Sequence, residues 1–222
     1  MKLQVAFDVL PLEEALDLAR GMEADVDRFE LGTPFLLEHG MEAVRRFRAQ
    51  FPGKELLADT KIMDAGRMEA ESAFRAGADL VTVLAVTDLA TVRACVEAAD
   101  RAGRRVVADM ICVSDLSGRA RELEEAGIHG IAVHTGVDQQ AQGRTPLQDL
   151  AVLRRAVQRA ELSAAGGISL ASLPDCCALC PDVIVIGGGI LSAPDPVAQA
   201  RAIRRAMPGW NDSGGILSEP RT

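Results

Sequence analysis

What most constrains this chain is an alternation that runs its whole length. A short apolar segment rich in β-branched residues is followed by a longer amphipathic one, eight times over. The strand candidates are 3–9, 26–32, 55–61, 79–85, 105–111, 129–135, 160–167 and 182–189. Helical patterns fill 11–23, 39–50, 66–78, 88–103, 115–128, 146–160, 169–180 and 195–207. Several carry their own punctuation. Pro11 and the acids after it open the first, Asp88 reads as an N-cap, and Gly77 and Gly103 read as stops. Strands that alternate with helices pair in parallel, and eight such units predict one compact (β/α)8 TIM barrel over residues 1–207. The alternative is a doubly wound open sheet. It wants a Gly-rich turn after the first strand, and "FDVLPLEE" has none. The Gly/Ser/Pro-rich stretch 208–222 reads as a loosely ordered tail.

The formal net charge is −8, spread along the chain. That balance argues against a nucleic-acid groove or an anionic membrane surface as partner. No apolar run is long enough to span a bilayer, and "MKLQVAFDVL" lacks the apolar length and cleavage site of a signal peptide. A cytoplasmic protein is expected. An anionic ligand would have to be held by a local device such as backbone amides at a helix start. The "CCALC" run (176–180) looks like half a zinc site, but no second C-x-x-C or H-x-x-x-H completes it. Reduced thiols packed beside a helix are the expectation for Cys95, Cys112, Cys176, Cys177 and Cys180.

In a (β/α)8 barrel the chemistry is built at the C-terminal ends of the strands. The ionisable residues gather there: Asp8, Glu30, Asp59 with Lys61, Asp109 and His134 on strands one, two, three, five and six. Any one of them could be a solvated strand end. Five groups of strand-end charges on one rim read as a site. "ADTKIMDAG" adds Asp64, giving the spacing D-x-K-x-x-D. Strands seven and eight end instead in Gly166–Gly167 and Gly187–Gly188–Gly189. Glycines there let backbone N–H groups approach an anion closely, so Gly166, Gly167, Gly187 and Gly188 are the candidate phosphate cradle; ordinary tight turns are the plainer reading. His39 and His129 fall outside this rim and read as structural.

These motifs are familiar together. "LQVAFD", "ELGTPFL", "ADTKIMDAG", "GADLVTVL", "VHTGVDQQ", "AAGGI" and "IGGGI" resemble the orotidine-phosphate decarboxylase suprafamily, on its sugar-phosphate branch, over residues 1–207. The resemblance implies a lyase acting on a sugar phosphate through an enediolate, with Mg²⁺ (or Mn²⁺ as a substitute) held by Glu30 and Asp59. It implies electrostatic help from Lys61, orientation by Asp8 and Asp109, and proton transfer by His134. It also implies a homodimer in which Asp64 crosses to the partner's site. Two activities share this set. One joins formaldehyde to ribulose 5-phosphate in an aldol reaction, and the other decarboxylates 3-keto-L-gulonate 6-phosphate. The decarboxylase pattern has Glu where this chain has Asp109, and Arg where it has Val137 and Gly188. All three positions favour the aldol reaction, because a neutral one-carbon partner needs no arginine to serve a departing CO₂. A sugar-phosphate-binding protein without catalysis is the reading of another class. It has no use for a metal site and a proton carrier together.

Overall fold

Eight parallel strands close on themselves in the computed structural model, which describes residues 1–143 and 145–208. The order is β1 (Lys2–Phe7), α1 (Leu12–Met22), β2 (Arg28–Leu31), α2 (Thr33–Gln50), β3 (Glu55–Ile62), α3 (Gly66–Ala76), β4 (Leu80–Leu84), α4 (Leu89–Ala102) and β5 (Arg105–Asp109). There follow α5 (Leu116–Glu125), β6 (Gly130–His134), α6 (Val137–Gln140), α7 (Leu147–Ala156), β7 (Glu161–Ala165), α8 (Leu173–Ala178), β8 (Val183–Ile186), α9 (Gly188–Leu191) and α10 (Pro196–Ala206). Each strand pairs with its neighbour in sequence, and β1 pairs with β8 to close the ring, Lys2 opposite Val183 and Val5 opposite Ile186. The expected barrel is therefore the fold. The tail expected at 208–222 lies, beyond its first residue, outside the described residues.

Alternation along the strands divides the interior in two. Outward side chains such as Leu3, Val5, Phe7, Phe29 and Leu31 join the helices in one large core. Five phenylalanines anchor β1 and β2 to α2; the Phe7 and Phe47 rings lie 5.4 Å apart and the Phe29 and Phe51 rings 5.1 Å. Inward side chains form small clusters inside the barrel: Ala6 with Val183 and Val185, and Leu57 with Leu80 and Val107.

Three local features differ from expectation. The second helix starts at Thr33, with Pro34 in its first turn, rather than at residue 39; Gly40, at φ 61°, breaks the pattern in the middle and hides its first half. Two four-residue helices, α6 and α9, follow β6 and β8 directly. Asp88 does occupy the N-cap position of α4, but its side chain makes no capping hydrogen bond; Asp115 and Asp195 do cap α5 and α10. The stops at Gly77 and Gly103 are left-handed as read. Among the described residues all five cysteines are free, and burial pushes the Cys95 and Cys176 thiols up to about 12. Cys95, Cys176 and Cys177 are buried packing groups, while Cys112 and Cys180 are exposed.

Candidate active site

The third strand does the most to build the rim. Its ladder to β4 slips between Ala58 and Ile62, and Lys61 sits in the bulge at φ 45°. A left-handed lysine is strained by about 1–2 kcal/mol, and bulges of this kind re-aim side chains beside active sites. The hydroxyl of Thr82 ties the bulge down, accepting from the Lys61 backbone N–H at 2.9 Å and donating to Asp59 Oδ1 at 2.6 Å. Thr33, at the start of α2, donates towards Asp59 Oδ2 at 2.9 Å. So Asp59, nearly buried, is held from both neighbouring segments.

Lys61 Nζ reaches two carboxylates. It donates to Asp59 Oδ2 at 2.6 Å and to Asp109 Oδ2 at 3.1 Å. Burial acts to lower its pKa, but the two carboxylates outweigh burial and the net shift is upward, so it stays an ammonium. Asp109 Oδ2 also meets His134 Nδ1 at 2.8 Å, while its other oxygen accepts from the Ile111 backbone at 2.9 Å. Burial raises the Asp109 carboxyl, yet His134 and Lys61 together hold it below the usual range. Burial likewise lowers His134, and Asp109 lifts it to a net position above the ordinary imidazole value.

Asp8 lies one residue past β1 at the mouth. Gly32 makes room for it: a Cβ there would sit 2.0 Å from Asp8 Oδ1. Desolvation and the Asp59 carboxylate push Asp8 up. Glu30, on β2, is pushed up to about 8 by burial and by Asp59. With the Asp59 carboxylate raising Glu30 from the adjacent strand, the two acids form a donor pair whose repulsion a divalent cation would relieve. Among the described residues no group of three or more His, Cys, Asp or Glu side chains stands as a ready metal cage. Mg²⁺ does not need one, since it commonly takes one or two carboxylates plus waters and substrate oxygens.

The glycine loops meet on the far side of the mouth. Gly166 and Gly167 are left-handed, at φ 111° and 66°. A Cβ on Gly166 would meet Thr135 O at 2.4 Å, and one on Gly189 would meet Ile168 O at 2.3 Å, so the β7 loop packs directly on the end of β6 and on the β8 loop. Gly188 faces open space, its nearest neighbour being Ser192 Oγ at 3.8 Å.

Ten of the eleven residues expected at the site thus line one rim. Asp64 does not. It is exposed, and its carboxylate accepts from the next backbone N–H, Ala65, at 2.7 Å. The D-x-K-x-x-D spacing suggests that Asp59 and Asp64 together keep Lys61 charged; Asp59 and Asp109 do so instead, because the bulge aims Lys61 across the barrel towards β5. Among the described residues Asp8 and Lys61 share no hydrogen bond and interact through space. Thr33 and Thr82, which hold Asp59, and Gln4, which donates to Glu30, are contacts that the sequence does not announce. Only their inward register could have flagged the last two. His39 and His129 are structural as read: His39 Nε2 lies 3.0 Å from Leu10 O, and His129 bridges the Val106 backbone and Asp100.

At the opposite end the barrel is plugged by ions. Arg28, 1% exposed, donates to Glu55 at 2.9 Å and Glu161 at 2.8 Å, and Lys2 and Arg105 join the same two carboxylates. Charges at strand starts read from sequence alone as entrance charges; these point inward and form the floor.

A closed barrel whose C-terminal rim carries an acid–lysine–acid–histidine array opposite two glycine loops defines a sugar-phosphate lyase type of site. Comparison with known proteins agrees with it. The model of the orotidine 5′-phosphate decarboxylase / HUMPS family matches residues 1–203, and the chain belongs to that family. The 3-hexulose-6-phosphate synthase of Staphylococcus haemolyticus is 42% identical over 209 residues, covering 94% of this chain and all of the relative. The crystal structure of 3-hexulose-6-phosphate synthase from Salmonella typhimurium superposes with a TM-score of 0.91 at 48% identity, over 93% of this chain and 98% of that one. The 3-keto-L-gulonate-6-phosphate decarboxylase of Vibrio cholerae is more distant, with a TM-score of 0.81 at 27% identity over 92% and 96%. Among the described residues no helix is long and apolar enough to cross a membrane.

Proposed function

We propose that the chain is a lyase with the activity of a 3-hexulose-6-phosphate synthase. It joins formaldehyde to D-ribulose 5-phosphate, reversibly, to give D-arabino-hex-3-ulose 6-phosphate. The observation that carries the reading is the shared oxygen of Asp109, which holds His134 Nδ1 at 2.8 Å and Lys61 Nζ at 3.1 Å. A non-catalytic binder has no need of that arrangement. The choice of aldol reaction over decarboxylation rests on Asp109, Val137 and Gly188, and on the gap between 48% and 27% identity to the two kinds of relative.

The residues divide the work as follows. Backbone N–H groups around Gly166, Gly167, Gly187 and Gly188 hold the 5-phosphate, overcoming the acidic net charge locally. With Nδ1–H donated to Asp109, the neutral imidazole of His134 leaves Nε2 free to take the proton from C1 of ribulose 5-phosphate. A divalent cation, Mg²⁺ or Mn²⁺, would be held by Glu30 and Asp59 and would lower the energy of the enediolate by offsetting its charge. Lys61 adds a fixed positive charge beside the developing oxyanions. C1 of the enediolate then attacks the formaldehyde carbon, the new C–C bond forms, and the former formaldehyde oxygen takes a proton back from His134. Asp8 orients a substrate hydroxyl at the mouth. Asp64, exposed in its own protomer, fits a role in the partner's site of a homodimer.

The test is isotopic. Labelled formaldehyde, ribulose 5-phosphate and Mg²⁺ should yield a hexulose phosphate with the label at its new C1. Failure to incorporate label, with CO₂ released from 3-keto-L-gulonate 6-phosphate, would move the assignment to the decarboxylase.

A further inference from the structure

We infer that Gln4, in the middle of β1, is a positioning residue for the metal ligand Glu30, locked in its orientation by the ionic floor of the barrel. This rests on the proposed role of Glu30. Gln4 is 3% exposed and points into the barrel between the floor and the rim. Its side chain spans the two. Gln4 Oε1 accepts from Arg28 Nη1 at 3.0 Å, and Gln4 Nε2 donates to Glu30 Oε2.

An amide has two ends of equal shape, and either could face Glu30. Here the partners decide. A guanidinium has no acceptor, so the oxygen must turn to Arg28 and the NH₂ must turn to the carboxylate. Arg28 cannot move away to allow a flip, since its remaining nitrogens are tied to Glu55 at 2.9 and 3.1 Å and to Glu161 at 2.8 Å. The chain Glu161–Arg28–Gln4–Glu30 therefore runs from the bottom of the barrel to the site. Glu30 receives this donor on Oε2, which leaves Oε1 and the remaining lone pairs for a cation. Partners of this kind orient a ligand before the metal arrives, and their loss commonly costs 10–100-fold in metal affinity. Leu or Val would fill the space but would leave both Arg28 Nη1 and Glu30 without their amide partner.

Binding of Mn²⁺ to the protein without substrate, followed by the loss of the free-ion signal in electron paramagnetic resonance, tests this directly. Wild type, Glu30→Gln, Gln4→Met, Gln4→Asn and Glu161→Gln are compared, each with its melting temperature. Gln4→Met should weaken Mn²⁺ binding by about tenfold or more. Gln4→Asn, which keeps an amide too short to span both partners, should fold even if Gln4→Met does not, and should weaken binding in the same direction. Glu161→Gln loosens the floor but leaves Gln4 its partners, so it should lower the melting temperature while binding Mn²⁺ within about twofold of wild type. Folded Gln4 variants that bind as wild type does would overturn the inference about Gln4 alone. Wild type that fails to bind, or Glu30→Gln that binds normally, would overturn the metal-site reading itself and this inference with it.

Discussion

His134 Nδ1 and Asp109 Oδ2 lie 2.8 Å apart across the β5–β6 pair, which fixes which imidazole nitrogen faces the mouth. His134→Ala should lower kcat/KM by about 10²–10⁴-fold, the usual worth of a positioned proton carrier. The pair also sets the pH dependence. Burial pulls the imidazole down, but Asp109 lifts it above its ordinary 6.5. A base must be neutral, so kcat/KM should rise with pH through a midpoint above 6.5. Asp109→Asn removes the group that lifts the imidazole and should move that midpoint down while lowering the plateau. An unmoved midpoint in the variant would show that another group titrates.

The glycine loops make opposite predictions at two positions. A Cβ at Gly188 meets open space, whereas one at Gly166 would lie 2.4 Å from a carbonyl on a backbone with φ 111°. Gly188→Ala should fold with stability within about 0.5 kcal/mol of wild type. It should raise KM for ribulose 5-phosphate, because the methyl fills the cradle. Gly166→Ala should instead lose stability by about 1–3 kcal/mol. Chemical denaturation and steady-state kinetics on the two variants separate these effects.

Asp64 acts, on this account, in the partner's site. Asp64→Ala and His134→Ala should each be nearly inactive alone. Mixed and allowed to exchange subunits, they should recover about a quarter of wild-type activity, since random pairing makes half the dimers mixed and each mixed dimer has one intact site. A mixture no more active than its parts would place Asp64 outside the catalytic set.

The floor gives a stability signature away from the chemistry. Arg28 and Lys2 beside Glu55 outweigh the cost of burying it and hold its carboxyl down at about 2, against an ordinary 4.5; Glu161 is lowered for the same reason. A carboxyl depressed on folding adds stability above its unfolded pKa and loses it as pH falls towards the folded value. Urea unfolding should therefore show stability falling between about pH 4.5 and pH 2. Glu161→Gln should flatten that slope.

Much of this was legible in the sequence for physical reasons. Eight strand–helix units with their own stops leave few topologies open, and inward alternation puts Asp8, Glu30, Asp59, Asp109 and His134 on one rim. What was not legible depends on backbone detail or on distant partners. Spacing places Asp59 and Lys61 on one face of a regular strand, and it cannot reveal a bulge with φ 45° that turns Lys61 towards Asp109 instead of Asp64. Gly40 disguised the first half of α2. Lys2, Arg28, Glu55 and Glu161 read as entrance charges from sequence alone, because the four are far apart in the chain and meet only when the barrel closes. Gln4 lies in an apolar strand, and its partners Arg28 and Glu30 come to it only through the same closure.

The central claim is best tested by measuring kcat/KM on two substrates with one preparation. Formaldehyde consumption with ribulose 5-phosphate and Mg²⁺ should be rapid, should stop in EDTA, and should exceed CO₂ release from 3-keto-L-gulonate 6-phosphate by orders of magnitude. Faster CO₂ release than formaldehyde consumption, or formaldehyde consumption unchanged by EDTA and by His134→Ala, would contradict it.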